Sequence, residues 1–308
     1  MEKVINPLIS VCVVTYNSAD TVLETLESIK AQSYANIELI ISDDASKDHT
    51  VAVCQEWVNK NRDRFIATEV ITVQKNTGIS ANCNRAFTRA RGEWIKIIAG
   101  DDRLRQDCIT SNWTYISEHE DIDILFSRIK PFGDLGKIAR YERMFIYGYF
   151  QMSHKAFLYR LLTGNFLPAP TSFIRKESYL ALGGFDESIP FIEDWPFWIK
   201  TFMNGMRLSF MNKCTVDYRM ADTSISMNSQ KSYAFLDSME RAKCLASGYM
   251  RKKSLLLWLY MKTVYEGENG FLRALSYFAR LFNPILYYLK YNEYRALILT
   301  DKIIASDE

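Results

Sequence analysis

The residues with the clearest capacity for chemistry are two adjacent carboxylates, Asp101 and Asp102. They follow Gly100 at the end of the apolar run 94–99, which is interrupted only by Lys96 and has the length of a buried strand. In an open α/β sheet, ligands bind outside the carboxyl ends of the strands. A carboxylate pair there suits a hard divalent cation, which takes oxygen ligands and leaves positions open for substrate phosphates. Because Gly-Asp-Asp is also ordinary turn chemistry, the other strand ends must be considered with it.

Three earlier β-branched runs share this organisation, and we predict strands at residues 9–14, 37–41 and 69–73. Each is followed by a polar stretch and then by apolar residues at helical spacing. The polar stretches are Thr15-Tyr16-Asn17, Asp43-Asp44 and Asn76-Thr77-Gly78. With the run at 94–99, these units predict an α/β fold with a mostly parallel sheet and helices on both faces. Since the carboxyl ends of parallel strands share one edge, a single site is favoured over four unrelated turns.

The composition excludes several classes of protein. Of 308 residues, 48% are hydrophobic and 24% charged, which is globular rather than disordered composition. The net charge of +2 argues against a nucleic-acid partner. The six scattered cysteines favour buried free thiols over a disulfide framework or a zinc site. Without a secretory pattern or an apolar run of roughly 18–20 residues, we expect a cytoplasmic protein, with peripheral attachment at the inner face of the cell membrane left open.

The glycine-rich phosphate loops of other nucleotide-binding folds are missing. No G-x-G-x-x-G follows the first strand, and no G-x-x-x-x-G-K-[ST] occurs in the chain. A nucleotide would therefore not be held on a glycine-rich helix N-terminus. An acidic strand-end site that holds a metal–diphosphate complex fits better.

Another pair of carboxylates, Glu193 and Asp194, comes just before Pro196. Proline suits the first turn of a helix, and acidic residues are favoured at a helix N-terminus, so capping alone could explain the pair. A catalytic role is the alternative. Residues 128–167, rich in aromatic side chains and weakly periodic, suit a substrate-covering segment better than a core element.

Taken in order, these segments resemble the glycosyltransferases of family 2, which have the GT-A fold. The resemblance lies in residues 9–17, 38–46, 76–84, 92–102, 183–187 and 193–194. It implies a GT-A catalytic domain at residues 1–226, with a nucleotide-sugar-binding half at 1–103 and an acceptor-side half at 104–226. Residues 227–308 would form a helical C-terminal extension.

The resemblance also implies residue roles. The residues implied to bind the nucleotide-sugar are Thr15, Tyr16, Asn17, Asp43, Asp44, Asn76, Gly78, Asn84 and Asp101. Asp44 would contact the base, and Asp101 would lie near the ribose. Asp102 would ligate Mn²⁺ or Mg²⁺ bridging the diphosphate. Asp194 would be the catalytic base, with Glu193 as a supporting neighbour.

The implied reaction is inverting transfer of a sugar from a nucleotide donor, most simply a UDP-sugar, to a hydroxyl of a glycan or lipid-linked acceptor in cell-surface polysaccharide synthesis. A divalent ion neutralises the leaving diphosphate, and one carboxylate deprotonates the attacking hydroxyl. Three positions depart from the family pattern: Ala99 replaces a frequent aspartate, Cys83-Asn84 a frequent Arg-Asn pair, and Ala221 a frequent histidine near Arg219. A catalytically degenerate nucleotide-sugar-binding subunit and a nucleotidyltransferase therefore stay as alternatives.

Residues 250–291 fall outside the resemblance and combine aromatic, aliphatic and basic residues at near-helical spacing. Such a helix can lie in a membrane interface. The alternative is a pair of helices that pack on the catalytic domain or form a homodimer contact.

Overall fold

The computed structural model describes residues 6–134, 145–220, 232–255, 258 and 284–305. Within them, eight strands form one sheet in the order β3-β2-β1-β4-β7-β6-β8-β5. The strands are β1 (Ile9–Thr15), β2 (Ile37–Asp43), β3 (Ala67–Thr72), β4 (Trp94–Ala99), β5 (Arg103–Leu104), β6 (Ile124–Gly133), β7 (Phe173–Arg175) and β8 (Leu208–Met220).

The helices of the described residues are α1 (Val22–Lys30), α2 (Thr50–Asn61), α3 (Ile79–Arg89), α4 (Cys108–Glu118), α5 (His154–Thr163), α6 (Lys176–Ala181), α7 (Asp194–Met203), α8 (Tyr233–Lys253) and α9 (Pro284–Ala305). Short 3₁₀ turns lie at Arg62–Arg64, Tyr147–Gln151 and Ala169–Thr171.

The first four strands of the predicted sheet pair in parallel, with β1 between β2 and β4 and with β3 beyond β2. The second half is mixed, because β7 pairs antiparallel with both β4 and β6, whereas β6 and β8 are parallel. The predicted α/β class, with parallel pairing of the first four strands, is confirmed. The strand expected at 69–73 begins two residues earlier, at Ala67.

Both faces of the sheet are covered because alternate strand residues point to opposite sides. Val11 and Val13 pack with α1, α2 and α4 in one apolar cluster, whereas Cys12 and Val14 pack with α3, α5, α7 and α8 in the other. Every residue of β1 and β2 is buried. Burial on both faces explains the near-continuous apolar sequence of these strands.

The interpretation of residues 128–167 as a covering segment is wrong for much of the described part. Strand β6 continues to Gly133, and α5 places Leu161 and Leu162 fully inside the core. The aromatic residues that obscured the periodicity pack together there, for example Phe157 against Phe166 with ring centroids 5.1 Å apart.

The described parts of residues 227–308, predicted to form a C-terminal extension, pack on the preceding part of the chain. Helix α8 contacts α5 and α7, and α9 contacts the turn at Tyr147–Gln151. A Cβ added to Gly148 would lie 2.0 Å from the Ala296 carbonyl oxygen, and the Gly148 N–H donates to Thr300 Oγ1 at 2.8 Å. Residues 259–283, on which much of the membrane prediction rests, lie outside the described residues. Among the helices that the structure describes, none has the length and apolar character needed to cross a membrane.

Candidate active site

A cavity of about 1340 Å³ opens at the carboxyl edge of β1, β2 and β4. It is bounded by the strand ends, by the loop at 164–170, by the start of α7 and by one face of α8. The predicted site residues that line it are Thr15, Tyr16, Asn17, Asp44, Asn76, Gly78, Asp101, Asp102, Glu193 and Asp194. Two others, Asp43 and Asn84, are not part of its wall.

The turn after β1 is fixed by bonds to the turn after β2. Asn17 has a left-handed φ of 51°, a conformation that asparagine tolerates better than most residues. Its Oδ1 accepts from the Lys47 N–H at 2.7 Å, and its own N–H donates to Ser46 Oγ at 2.8 Å. Tyr16, which is 46% exposed, is thereby held at the cavity mouth.

Asp43 is turned inward and serves the fold. Its carboxylate accepts from Thr15 Oγ1 at 3.0 Å, from the Ser46 N–H at 2.9 Å and from Ser46 Oγ. These bonds join the ends of β1 and β2. Asp43, which was predicted to bind the nucleotide-sugar, therefore supports the turns that form the site and is not part of the cavity surface.

Asp44 lies in the wall and is well supplied with donors. Its oxygens accept from the Thr77 N–H at 3.0 Å and from the Gly78 N–H at 2.8 Å, and Arg85 Nη2 lies 2.7 Å away. Asp44 thus anchors the Asn76-Thr77-Gly78 turn at the N-terminus of α3. Gly78 is required there, because its φ is 90° and an added Cβ would lie 2.6 Å from Pro190.

Asn84 lies away from the cavity wall. Its Oδ1 accepts from Tyr179 Oη at 2.6 Å and from the Phe185 N–H at 3.0 Å, and its Nδ2 donates to the Phe185 carbonyl and to Glu187. The amide therefore fastens the Gly183–Glu187 segment to α3, since both ends of the side chain are engaged. Direct contact with a nucleotide-sugar, predicted for this residue, is not supported by its position.

Asp101 and Asp102 lie where β4 turns into β5. Asp102 is 2% exposed, and its Oδ1 accepts from the Arg219 N–H at 2.8 Å. Burial, and next the charge of Asp101, raise the pKa of the Asp102 carboxyl well above its usual range. Burial also raises the pKa of Asp101, against the attraction of Arg219. The pair therefore carries a negative charge that is costly to keep without a cation.

Arg219, at the end of β8, supports this turn from three sides. Its Nε donates to the Asp101 carbonyl at 2.8 Å, and its Nη2 lies 2.7 Å from Glu24 Oε2. Its guanidinium carbon lies 4.6 Å from the Phe132 ring centroid. Ala221, the position where the family often has histidine, lies outside the described residues.

Asp194 is the first residue of α7, and Glu193 occupies the N-cap position. Asp194 Oδ1 accepts from the Trp195 N–H at 2.6 Å, and Oδ2 accepts from Asn165 Nδ2 at 2.6 Å. Burial raises the pKa of Asp194, and burial together with the charge of Asp194 raises the pKa of Glu193. Because two neighbouring buried carboxylates repel each other when both are ionised, the pair favours a proton on Glu193 and a negative charge on Asp194.

Sequence reasoning missed several contributors to the site. Arg85 compensates Asp44 from a position next to the expected Arg-Asn pair, and Asn165 contacts Asp194 across 29 residues. Helix α8 supplies a further wall through Phe235, Met239 and Lys243. The sequence did contain a signal for Arg85, because this basic residue lies about one turn after Asn82 on the helix that follows Gly78. No local sequence signal indicated Asn165.

The side chains in the cavity wall determine whether a metal ion could bind there. In the described part of the chain, no cluster of three or more histidine, cysteine, aspartate or glutamate residues is gathered as for a metal. The Asp101-Asp102 pair nevertheless has the right chemistry for a Mn²⁺ or Mg²⁺ ion that keeps positions for phosphate oxygens, since both side chains are hard carboxylates, Asp102 is buried and Asp101 is half-buried. The residues therefore fit a divalent ion that is bound together with a diphosphate.

Comparison with solved structures gives the same architecture. S. aureus TarS residues 1–349 in complex with UDP-GlcNAc has a TM-score of 0.61 at 18% identity, with 98% of this chain and 92% of that chain covered. This chain spans 55% of the longer TarS chain. The mannosyltransferase PcManGT from Pyrobaculum calidifontis, in complex with GDP-Man and Mn²⁺, has a TM-score of 0.54 at 16% identity, with 99% and 89% covered. These likenesses confirm the GT-A fold.

Comparison of sequences identifies the family. An uncharacterized glycosyltransferase of Methanocaldococcus jannaschii is 26% identical over 234 residues, which cover 74% of this chain and 77% of the relative. The glycosyltransferase TuaG of Bacillus subtilis, named for teichuronic acid biosynthesis, is 25% identical over 228 residues, which cover 73% and 84%. The family profile described as glycosyl transferase family 2 matches residues 10–182, more than half of the chain. The chain is therefore a glycosyltransferase that belongs to glycosyl transferase family 2.

Proposed function

We propose that this enzyme transfers a sugar, with inversion, from a UDP-sugar to a hydroxyl of a glycan or lipid-linked acceptor in cell-surface polysaccharide synthesis. The observation that carries the proposal is the position of Asp194 in the wall of the same cavity as Asp101 and Asp102. The UDP-GlcNAc bound by TarS and the teichuronic acid synthesis in the name of TuaG support the choice of donor and pathway class. The family match decides against the nucleotidyltransferase alternative.

The donor would lie along the strand ends. Tyr16 and Asp44, which line the cavity near the ends of β1 and β2, would lie beside the base, and Asp101 and Asp102 lie after the end of β4. Asp102, with Asp101, would hold a Mn²⁺ or Mg²⁺ ion, and Arg219 holds their turn in place. When bound, the ion supplies Lewis-acid neutralisation of the leaving diphosphate.

Asp194 would act as the general base. As the acceptor oxygen attacks the anomeric carbon, Asp194 takes the hydroxyl proton and the bond from the sugar to the diphosphate breaks with its electron pair on UDP. One displacement of this kind inverts the anomeric configuration. Burial raises the pKa of Asp194, which makes it a stronger base than an ordinary carboxylate.

Calorimetric titration with UDP and GDP, each with and without Mn²⁺, tests the donor site. We expect UDP to bind, with an affinity that depends on Mn²⁺. A preference for GDP would contradict the proposed donor. Binding of neither nucleotide, with or without Mn²⁺, would overturn the proposed donor site.

Asp194→Asn tests the base. We expect UDP release from the most active of a panel of UDP-sugars, beginning with UDP-GlcNAc, to fall by about 10²–10⁴-fold, the usual contribution of general base catalysis. UDP binding should be unchanged, since the substituted asparagine retains an oxygen for the Trp195 N–H. A matched control is Asp63→Asn, an exposed aspartate in the turn at Arg62–Arg64. An unchanged rate in Asp194→Asn would remove the base assignment.

A further inference from the structure

The loop between α5 and β7 bonds to Asp194 and to β4, the strand that precedes the other carboxylate pair of the cavity. At its start, the Gly164 carbonyl accepts from Arg160 Nη1 at 3.0 Å. At its end, the Pro170 carbonyl accepts from Lys96 Nζ at 2.6 Å. Lys96 is fully buried in β4, the strand that leads to Asp101 and Asp102. The loop is therefore held at both ends by buried or half-buried cations.

Asn165, near the start of this loop, contacts Asp194. The Leu167 N–H donates to Asn165 Oδ1 at 3.1 Å, and Asn165 Nδ2 donates to Asp194 Oδ2 at 2.6 Å. The orientation of the amide is determined by these partners, because a backbone N–H can only donate and a carboxylate can only accept. One side chain thus sets the loop with its oxygen and binds the carboxylate with its nitrogen.

The other Asp194 oxygen is fixed by the backbone. Oδ1 accepts from the Trp195 N–H, and the Trp195 ring is held in turn by a 2.7 Å bond from Nε1 to the Leu161 carbonyl. Within the described ranges, Asn165 is the side chain that donates a hydrogen bond to the Asp194 carboxylate. Its removal would free the carboxylate to rotate and would withdraw a bond that favours the charged form.

The electrostatic surroundings of Asp194 do not duplicate this role. The titratable groups on the elements around it include Glu193 on α7, Cys83 on α3, Arg160 on α5, and Glu240, Lys243 and Cys244 on α8. Glu193 holds the proton of the pair and therefore gives the Asp194 charge no compensation, and burial raises the pKa of the Cys83 thiol, which is therefore neutral. Arg160 binds Gly164, and Lys243 lies 2.9 Å from Glu240.

We propose that Asn165 is a positioning residue, which orients the Asp194 carboxylate toward the acceptor hydroxyl and keeps it ready to accept the proton. The proposal rests on the proposed function of Asp194 as the base. It assigns to the loop at 164–170 a part in the chemical step in addition to its part in the cavity wall.

Asn165→Asp separates this role from a role in folding the loop. The substituted carboxylate retains an oxygen for the Leu167 N–H but replaces the donor by a second negative charge beside Asp194. We expect kcat to fall about tenfold to a hundredfold, as for the loss of one charge-assisted hydrogen bond, with little change in KM for the donor. A residue that only shapes the loop would leave kcat at the wild-type value, and that result would overturn the proposal.

The pH profile gives a second readout. The base acts when it is deprotonated, so the rate falls as the pH drops through the pKa of Asp194, which burial already raises. A neighbouring carboxylate raises a carboxyl pKa further, so the acid limb of kcat in Asn165→Asp should move to higher pH. Asn165→Ala, which also loses the donor, should move it in the same direction. An acid limb at the wild-type position in both variants would overturn the proposal.

A double-mutant cycle links the two residues. The rate of UDP release is measured for Asn165→Asp, Asp194→Asn and the double variant, with the UDP-sugar chosen in the panel and with UDP binding as the check on folding. We expect Asn165→Asp to cause no further loss once Asp194 is replaced. An equal loss in both backgrounds would overturn the positioning role alone, whereas an unchanged rate in Asp194→Asn would overturn the proposed base itself.

Discussion

Two Asp-Asp pairs end neighbouring regions of the same sheet, Asp43-Asp44 at the end of β2 and Asp101-Asp102 after β4. Both pairs are at carboxyl strand ends, and in sequence they look alike. They differ in how their negative charge is compensated. The first pair accepts many hydrogen bonds from the chain itself, whereas the second pair accepts far fewer.

At the first pair, Asp44 alone accepts hydrogen bonds from two backbone N–H groups, from Thr77 Oγ1 and from Arg85. Its neighbour Asp43 is bonded to Thr15 and Ser46. Arg85 and Asp44 also form an ion pair that is partly buried. These bonds make the first pair a structural joint between the ends of β1 and β2 and the start of α3.

At the second pair, the donors in the described part of the chain are fewer. The Asp102 carboxylate accepts from the Arg219 N–H, and Arg219 uses its guanidinium on the Asp101 carbonyl and on Glu24. The pKa of Asp102 is raised by its burial and by Asp101. The two pairs have the same Asp-Asp sequence, so the number of hydrogen-bond donors is what distinguishes the compensated turn from the pair that we propose as a cation site.

The largest expected effect comes from Asp102→Asn. We expect the rate of UDP release from a UDP-sugar to fall by about 10³-fold or more, because the proposed metal loses its buried ligand. UDP binding should also lose its dependence on Mn²⁺ in calorimetry.

The same variant should not lower the melting temperature of the metal-free protein. The substituted asparagine keeps an oxygen for the Arg219 N–H while a costly buried charge is removed. A large fall in melting temperature would show that the charge of Asp102 is already compensated. It would contradict the proposed difference between the two pairs.

Asp44→Asn should lower the stability of the metal-free protein, which Asp102→Asn should not. The substitution leaves the partly buried Arg85 without its charge partner and turns an N–H group toward the Thr77 and Gly78 donors. Breaking such a pair costs about 3 kcal/mol, so the melting temperature should fall by roughly 4–6 °C. Asp63→Asn, at an exposed site, is the control and should leave the melting temperature unchanged. Stability equal to the wild type in Asp44→Asn would contradict the structural assignment of this pair.

The sheet and the strand-end residues could be predicted because their signals are local. A β-branched run buried on both faces has a characteristic sequence, and the polar residues after it mark the edge of the sheet where β1, β2 and β4 end. The same local pattern could not separate Asp43 from Asp44, or Asn84 from the cavity residues. Which way a turn side chain points depends on donors 28 or more residues away, such as Thr15 for Asp43 and Phe185 for Asn84.

The acceptor side was harder to predict because its parts are assembled across the chain. Asn165 lies in a loop with no sequence periodicity. It matters because it donates a hydrogen bond to Asp194 at the start of α7. Helix α8 reads as an ordinary amphipathic helix, yet Met239 and Lys243 face the cavity. Strand β8, which carries Arg219, reaches the Asp101-Asp102 turn from 117 residues away. Contacts of this kind require the three-dimensional arrangement.

The smallest effect, from Thr77→Val, tests the redundancy of donors at Asp44. Valine has nearly the shape of threonine but lacks the hydroxyl that donates to Asp44 Oδ1 at 2.7 Å and accepts from Arg85 Nη1 at 2.7 Å. Because the Thr77 N–H, the Gly78 N–H and Arg85 still donate to the carboxylate, the cost should be about 1 kcal/mol, or roughly 1–2 °C in melting temperature. A fall as large as that of Asp44→Asn, measured in the same thermal scans, would mean that the hydroxyl is indispensable. The joint at the end of β2 would then depend on one hydrogen bond. Asp44 would differ less from Asp102, which accepts few hydrogen bonds.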